Sequence, residues 1–501
     1  MELLVDSQSM KQCDKNTIEH FGIPSMVLME RAALGVFEEI AGFFENSLAG
    51  KKALVVCGFG NNGGDGLAVA RMIWQKGVSV AVVMPPGPGT VSKETEAQKN
   101  ILDQYQIPIV SQIPEAEYDF VVDALFGIGL SRELRGIYRD YVTKMNQLSA
   151  WKVAVDIPSG IDADTGAVLG AAFLADVTVS FAFAKTGLLL FPGAEYAGKV
   201  VVKEIGIDKH SFLEQQPSLY RLTLEDLKEI PSRKARSNKG SYGKALVAAG
   251  QKNMAGAAFF SAKSAYLTGA GLVKVVTAEE NRVILQQLLP EAILETYQEL
   301  DIVQRLSVSL EWASVIVAGP GIGTGEAACL IEAILSQAKV PVILDADGLN
   351  IVSKHLEWLK NASAQVIVTP HLGEMARLVK QEISVIQQRL IDTARQFAKE
   401  YQVICVLKDA RTVTALPDGR TWINTSGNNG MATAGAGDVL TGVIAGLIAQ
   451  GMNPEAAAPM AAYLHGIAGD RQAQEKGAYG LTAQDVMEGI PYVLKDRGTE
   501  R

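Results

Sequence analysis

The chain has 501 residues, of which 48% are hydrophobic and 20% are charged. This length exceeds one ordinary hydrophobic core and predicts two or three globular domains. The net charge of −9 argues against a nucleic-acid partner. Residues 1–15 lack the apolar core of a signal peptide and no apolar run is long enough to span a membrane, so we expect a cytoplasmic protein without a membrane partner. The four cysteines show no metal or disulfide spacing.

The first part of the chain begins with two predicted helices within residues 11–46. A short apolar strand at 53–57 then runs into the glycine-rich segment 58–66 and a predicted helix at 67–76. The glycines match the dinucleotide-binding pattern, but the carboxylate expected about 20 residues later is missing. The side-chain oxygens of Asn61, Asn62 and Asp65 instead suit a hard cation.

Two further apolar strands in this part end in carboxylates. Asp123 ends one strand and Asp156 ends the next, and Ser159 follows in the adjoining turn. Each carboxylate could simply cap a following helix. The carboxyl ends of parallel strands share one sheet edge, where ligands bind, so several such loops favour a ligand site.

These motifs together resemble those of the NAD(P)H-hydrate epimerases, over about residues 1–210. The resemblance implies a potassium ion bound by Asn62, Asp123 and Ser159, and we take Asp156 as the candidate acid/base. It also implies contacts between a hydrated nicotinamide nucleotide and Asn61, Asn62, Gly63, Gly64, Asp65, Gly127, Ile128, Gly129, Leu130, Ser131, Arg132, Glu133 and Asp156.

The second part of the chain repeats the α/β pattern. Residues 213–235 are polar and irregular, and we interpret them as a linker between domains at 1–212 and 236–501. Strand-turn units at 315–321, 342–347, 366–371 and 403–408 alternate with helical runs, and a helix of small residues is predicted at 255–268. This alternation predicts a second, mainly parallel sheet.

The segment 426–442 carries the most specific chemistry of the chain. Small residues at 433–437 precede Asp438, and the apolar run 439–447 predicts a helix. Free N–H groups and the positive dipole end of a helix make an anion site. A carboxylate beside it can act as the base when a hydroxyl attacks phosphorus. The ordinary alternative is an Asp cap on a helix.

The Gly-Ala-Gly-Asp sequence that ends at Asp438 resembles the signature of ribokinase-like kinases. The longer segment 429–442 resembles the nucleotide-dependent NAD(P)H-hydrate dehydratases, and the motifs KGSYG, GPGIG, LDADGLN, TPHLGE and LKDARTV agree in order. This resemblance implies substrate contacts at Ala257, Gly321, His371 and Asp438. It implies nucleotide contacts at Lys408, Asp409, Ala410, Arg411, Thr412 and Gly437. Asp409 departs from the family, which usually has glycine there.

The sequence therefore predicts two α/β domains, a Rossmann-like three-layer domain followed by a ribokinase-like domain. We expect an enzyme that epimerises hydrated NADH and NADPH and dehydrates the S form with ADP or ATP, with K⁺, with Mg²⁺ accompanying the nucleotide, and as a homo-oligomer. The helix dipole should keep Asp438 ionised unless burial outweighs it. A small-molecule kinase fused to a nucleotide-binding module and a catalytically silent binding module are the alternatives.

Overall fold

The computed structural model describes residues 1–87, 90–215, 217–298, 302–325 and 327–496, without the side chains of 302–305. Contacts between residues divide the chain into two units. One comprises Leu3–Pro217, and the other comprises Met1–Glu2 with Ser218–Arg501.

The first unit alternates strands and helices. Its strands are β1 (Glu2–Val5, which begins in the other unit), β2 (Lys52–Cys57), β3 (Ser79–Val83), β4 (Ile109–Val110), β5 (Phe120–Ala124), β6 (Trp151–Val155), β7 (Val177–Phe181), β8 (Ala184–Lys185) and β9 (Lys199–Lys203). Its helices are α1 (Ser7–Glu19), α2 (Ser25–Phe43), α3 (Asn61–Trp74), α4 (Lys93–Gln104), α5 (Ile137–Gln147) and α6 (Gly193–Ala197).

A parallel sheet with strand order β4-β3-β2-β5-β6-β7-β9 forms the centre of this unit. β2 and β5 are buried along almost their whole length, as expected for parallel strands covered on both faces. The chain runs outward from β2 to β4 and returns to place β5 beside β2. The strand order therefore reverses between β2 and β5, which is where ligands bind in open α/β sheets.

The second unit is built in the same way. Its strands are β10 (Leu219–Arg221), β11 (Lys244–Ala248), β12 (Leu272–Ala278), β13 (Ile293–Tyr297), β14 (Val315–Ala318), β15 (Val342–Leu344), β16 (Val366–Val368), β17 (Ile404–Leu407), β18 (Val413–Ala415) and β19 (Thr421–Ile423). Its helices are α7 (Ala255–Thr268), α8 (Arg282–Leu288), α9 (Ile302–Trp312), α10 (Ala327–Gln337), α11 (Asp347–Val352), α12 (Glu357–Lys360), α13 (Leu372–Val379), α14 (Ile383–Gln388), α15 (Leu390–Tyr401), α16 (Ala436–Ala449), α17 (Pro454–Lys476) and α18 (Ala483–Asp496).

The sheet of the second unit has the order β13-β12-β11-β14-β15-β16-β17-β18-β19-β10. It is parallel as far as β17, and β18 pairs antiparallel with both of its neighbours. The strand order reverses between β11 and β14. Helices α7, α16, α17 and α18 supply much of the apolar core beside this sheet.

Two predicted boundaries differ from the structure. The linker predicted at 213–235 contains β10 and a 3₁₀ helix at Leu224–Glu229, because Leu219 and Tyr220 pair with β19 and the Thr223 and Asp226 side chains cap that helix. Position 216 lies outside the described residues. The helix predicted from residue 67 begins at Asn61, so the residues from Asn61 to Gly66 form its first turns rather than a loop.

None of the helices in the described part of the chain combines the length and apolarity that a membrane span requires.

Candidate functional sites

A cavity of about 680 Å³ lies in the first unit where the strand order reverses. The chain can approach closely there because two glycines have no side chain. A Cβ at Gly58 would lie 1.9 Å from the Leu125 carbonyl oxygen, and one at Gly63 would lie 2.0 Å from the Gly58 oxygen. The start of α3 thus packs on Gly58, and Gly58 packs on Leu125, the residue after β5. The volume suits a small organic ligand.

Asp156 follows β6 directly and lines this cavity. Its backbone φ is 65°, a left-handed conformation that is costly outside glycine and concentrates at functional sites. Its Oδ1 accepts hydrogen bonds from Lys185 Nζ and, at 3.2 Å, from the Phe181 amide. The Lys185 side chain is 1% exposed, and the pairing of Val5 with Lys185 fixes its place. The site thus holds a buried ion pair.

Asp65 on α3 contributes a second carboxyl to the same cavity. The residue is 9% exposed, and its carboxyl makes no hydrogen bond or ion pair with any residue that the structure describes. Burial raises the pKa of Asp65 well above its usual range, and the nearby carboxylates of Asp156 and Asp14 raise it further. This environment favours the protonated form.

A group of oxygen atoms lies behind the cavity. Asp123 accepts hydrogen bonds from the Ser159 amide and hydroxyl, each at 2.7 Å, and burial raises the pKa of Asp123 to about 6. The Phe126 amide donates to Ser159 Oγ at 2.9 Å. The buried Nδ2 of Asn62 has no partner among the described residues.

The substrate contacts predicted for the first unit divide into two groups. Those that line the cavity are Asn61, Asn62, Asp65, Gly127, Ile128, Gly129, Leu130, Arg132 and Asp156. Gly63, Gly64, Ser131 and Glu133 are not among its lining residues; for example, Glu133 accepts a hydrogen bond from Arg135 at 2.9 Å.

In the second unit, the loop after β14 lies beside the start of α7. Gly321 has φ 57°, and a Cβ there would lie 2.9 Å from Ala257 Cβ, so these two predicted substrate contacts are neighbours. The Gln251 amide donates to the Gly321 oxygen at 2.6 Å, and the Gly323 amide donates to Asp347 Oδ2 at 2.9 Å. Asp347 therefore fixes this loop, a role that the sequence reasoning missed.

Lys408 follows β17 directly and lies next to Gly437 at the start of α16. A Cβ at Gly437 would lie 3.2 Å from Lys408 Nζ and 3.4 Å from Asp345 Oδ2. Lys408 Nζ donates to Asp345 Oδ1 at 2.7 Å, and both side chains are largely buried. The sequence reasoning gave Lys408 to a phosphate and missed Asp345, although Asp345 follows strand β15 just as Asp156 follows β6.

Asp438 lies in the first turn of α16. Burial raises the pKa of Asp438 to about 7, Asp345 raises it next, and Asp347 and Glu374 add to this, whereas Lys408 lowers it. Its carboxylate makes no hydrogen bond or ion pair with a described residue. Burial thus outweighs the helix dipole, which is the exception that the sequence analysis allowed.

His371 caps α13 and forms a β-bridge with Lys408. Its Nδ1 accepts a hydrogen bond from the Gly373 amide at 3.0 Å, which requires an unprotonated Nδ1. Burial, followed by Lys408, lowers the pKa of His371. Its side chain is 55% exposed and lies 3.4 Å from Glu374. The imidazole is thus fixed as a neutral group at the sheet edge.

The predicted nucleotide segment from Lys408 to Thr412 connects β17 to β18. Arg411 Nη1 donates to the Thr425 oxygen at 3.0 Å, which ties this connection to the segment that leads into α16. Burial lowers the pKa of His465 to about 4, Lys408 lowers it further and the Ala436 backbone raises it, so this neutral ring, which the sequence reasoning missed, lies near the start of α16.

Comparison with known proteins agrees with two catalytic units. The family described as NAD(P)H-hydrate dehydratase matches residues 245–492, and the family described as YjeF-related protein N-terminus matches residues 25–187. A bifunctional NAD(P)H-hydrate repair enzyme from Moorella thermoacetica is 36% identical and spans 98% of this chain and 97% of its own length. The chain belongs to the bifunctional NAD(P)H-hydrate repair enzymes. The Escherichia coli member is 32% identical over 99% of this chain and 94% of its own.

Solved structures match the second unit. The ADP/ATP-dependent NAD(P)H-hydrate dehydratase from Bacillus subtilis, co-crystallised with ATP/Mg²⁺, is 32% identical with a TM-score of 0.50, and the match covers 55% of this chain and 98% of that one. A ribokinase-like superfamily protein from Enterococcus faecalis is 28% identical with a TM-score of 0.51, and the match covers 56% of this chain and 98% of that one. The predicted family and the predicted α/β fold class are confirmed; the roles of single residues stay predictions.

Proposed function

We propose that the chain repairs hydrated NADH and NADPH with one reaction in each unit. The first unit would interconvert the R and S forms, and the second would dehydrate the S form with ADP or ATP. The observation that carries the proposal is Asp438. A carboxylate with a pKa of about 7 in the first turn of α16, next to Gly437 and Lys408, is suited to accept a proton beside a phosphoryl group.

The dehydration would proceed in two stages. Asp438 takes the proton of the C6 hydroxyl while that oxygen accepts a phosphoryl group from the nucleotide. Phosphate then leaves C6, a proton leaves the adjoining carbon, and the reduced nicotinamide is restored. Ala257, Gly321 and His371 would hold the substrate. Gly437 and the segment from Lys408 to Thr412, with Asp409, Ala410 and Arg411, would hold the nucleotide.

In the first unit Asp156 would serve as the acid/base of epimerisation, beside the residues predicted to bind the nucleotide. The oxygen atoms behind the cavity fit a potassium ion, because Asp123 and Ser159 offer oxygens and the Asn62 amide lacks a partner, so it can turn its oxygen inward. When bound there, the ion would supply positive charge that holds these loops together.

Mg²⁺ would arrive as the complex of the nucleotide, since it prefers phosphate oxygens and water. No group of three or more His, Cys, Asp or Glu side chains in the described ranges could hold a metal by itself. We also propose a cytoplasmic homo-oligomer without nucleic-acid or membrane partners. The buried free thiols of Cys13, Cys57 and Cys405 support the cytoplasm, and the exposed apolar side chains of Val283, Ile284 and Leu288 on α8 support an oligomer.

The experiment incubates hydrated NADH with the protein and ADP, with and without potassium, and follows absorbance near 340 nm, the band of reduced nicotinamides. Recovery of this absorbance with release of AMP and phosphate is expected. A stable phosphorylated alcohol without recovery of absorbance would support the kinase alternative and overturn the proposal. If neither product is formed, the result would support the catalytically silent module.

A further inference from the structure

The cavity of the first unit contains two carboxyl groups in opposite surroundings. Asp156, after β6, is paired with Lys185 and the Phe181 amide. Asp65, on α3, is buried in the cavity wall without a partner among the described residues. Its carboxyl oxygens are not among the fully enclosed side-chain atoms that lack a partner, so they are open to the cavity, where a ligand can supply the missing partner.

Epimerisation at C6 needs two proton transfers when the C6–O bond is broken. The hydroxyl leaves as water only if an acid protonates it. The water that adds from the opposite face must then lose a proton to a base. A pair of carboxyl groups, one protonated and one charged, provides both functions. When two carboxyl groups lie in different surroundings, the difference indicates which is the acid and which is the base.

We propose that Asp65 is the catalytic acid of the epimerisation and acts opposite Asp156. This inference rests on the proposed epimerase function. Asp65 gives its proton to the C6 hydroxyl, the C6–O bond breaks, and the lone pair of N1 forms an N1=C6 double bond as water departs. Solvent water then adds to the other face of C6, the electron pair returns to N1, and Asp156 takes the proton.

The step balances without an oxidant or a reductant. One water molecule leaves and another enters, and one proton is given and one is taken. Transfer of the proton from Asp156 back to Asp65 through solvent restores the starting state. For the opposite direction the two carboxyl groups exchange roles.

The charged groups around Asp65 favour its protonated form. Burial, then Asp156, then Asp14 raise the pKa of Asp65, and Lys185 lowers it. The buried thiol of Cys57, whose own pKa burial raises, adds no charge. A protonated Asp65 can donate a hydrogen bond to a hydroxyl, which a charged carboxylate cannot do.

The first test compares the full chain with Asp65→Asn, starting from the R form. Epimerisation should lose about 10²- to 10⁴-fold in kcat with little change in KM, because Asn keeps the shape but gives no proton. Dehydration of the S form, catalysed by the other unit, should be unchanged. Asp103→Asn on the exposed face of α4 is the matched control, and Asp65→Glu should recover part of the lost rate.

Two measurements on the unaltered protein need no variant. Epimerisation in ¹⁸O-water should place solvent oxygen at C6 in each turnover, and the rate should fall at alkaline pH as Asp65 loses its proton. Retention of the original oxygen, absence of the alkaline limb, or near-normal kcat in Asp65→Asn would overturn the inference. An unaltered protein that does not epimerise would instead overturn the proposed function.

Discussion

Each unit places an aspartate and a buried lysine at the carboxyl edge of a parallel sheet, but the two units pair these residues differently. In the first, Lys185 hydrogen-bonds to Asp156 itself. In the second, Lys408 binds Asp345 at 2.7 Å, and the Asp438 carboxylate has no hydrogen-bond or ion-pair partner in the described part of the chain. The lysine nearest to Asp438 is thus held by another carboxylate.

This difference has a chemical consequence. Three neighbouring carboxylates and burial together raise the pKa of Asp438 to about 7 against the opposing effect of Lys408. A carboxylate with that pKa is a stronger base than an ordinary one and still partly ionised near neutral pH. The comparison suggests that the second unit uses Asp345 to keep Lys408 from neutralising its base.

The largest expected effect comes from Asp438→Asn. Asparagine preserves the shape but cannot accept the proton, so ADP-dependent dehydration of the S form should slow about 10²- to 10⁴-fold. Nucleotide affinity, measured by calorimetry, should persist or increase because a nearby negative charge is removed. If Asp438 is only a structural residue in the first turn of α16, turnover will stay close to that of the unaltered protein.

Asp123→Ala tests the first unit. Loss of a carboxylate ligand should weaken the affinity for potassium, measured from the potassium dependence of epimerisation, at least about 10-fold. Even residues that only support metal ligands typically contribute that much to metal affinity. Dehydration of the S form serves as the internal control. Equal loss of both activities would show that the two reactions do not belong to separate units.

Much of the fold could be predicted from the sequence, because buried parallel strands are apolar runs followed by polar turns. The pairing of charges could not. The partner of Lys185 cannot be identified from the sequence, because the position of this lysine depends on the pairing of β8 with β1. Asp345 could have been found by extending the strand-end argument to the second unit. The pKa of Asp438 depends on carboxylates from several loops, which only the folded chain brings together.

Asp345→Asn tests how the second unit uses its lysine. The substitution removes a charge that raises the pKa of Asp438 and releases Lys408 to approach it, so both changes lower that pKa. The pH at which the dehydration rate falls to half on the acidic side of its profile, the acidic limb, should therefore be about one unit lower. The limb is measured from the S form at saturating ADP, with Asp392→Asn on the exposed face of α15 as the matched control. An unmoved limb would show that Asp345 does not tune the base.

A smaller effect is expected on stability. The pKa of Asp438 rises from 3.8 to about 7 on folding, so the charged form destabilises the fold as pH rises through that window. Asp438→Asn does not titrate there and should be more stable than the unaltered protein at pH 8, by at most about 4 kcal/mol in free energy of unfolding. The advantage should vanish near pH 4. Thermal unfolding at both values checks this, and an equal difference at each pH would contradict it.

The smallest effect should follow from separating the units, if each folds by itself. A fragment of residues 218–501 keeps β10, whose Leu219 and Tyr220 pair with β19. It loses Met1 and Glu2, and with them the ion pairs of the Met1 ammonium group with Asp226 and of Glu2 with Arg221, which are partly exposed and worth about 1 kcal/mol or less each. Dehydration should therefore remain near that of the full chain.

A fragment that begins at residue 225 provides the contrast within this last experiment. It lacks β10, so β19 becomes an unprotected sheet edge and the fragment should aggregate more readily. Residues 3–217, expressed alone, should retain epimerisation. Solubility and both activities are measured for all three fragments. If 218–501 is insoluble or inactive while the full chain is active, the units are not independent, and the contrast between Asp156 and Asp438 would have to be tested in the intact chain alone.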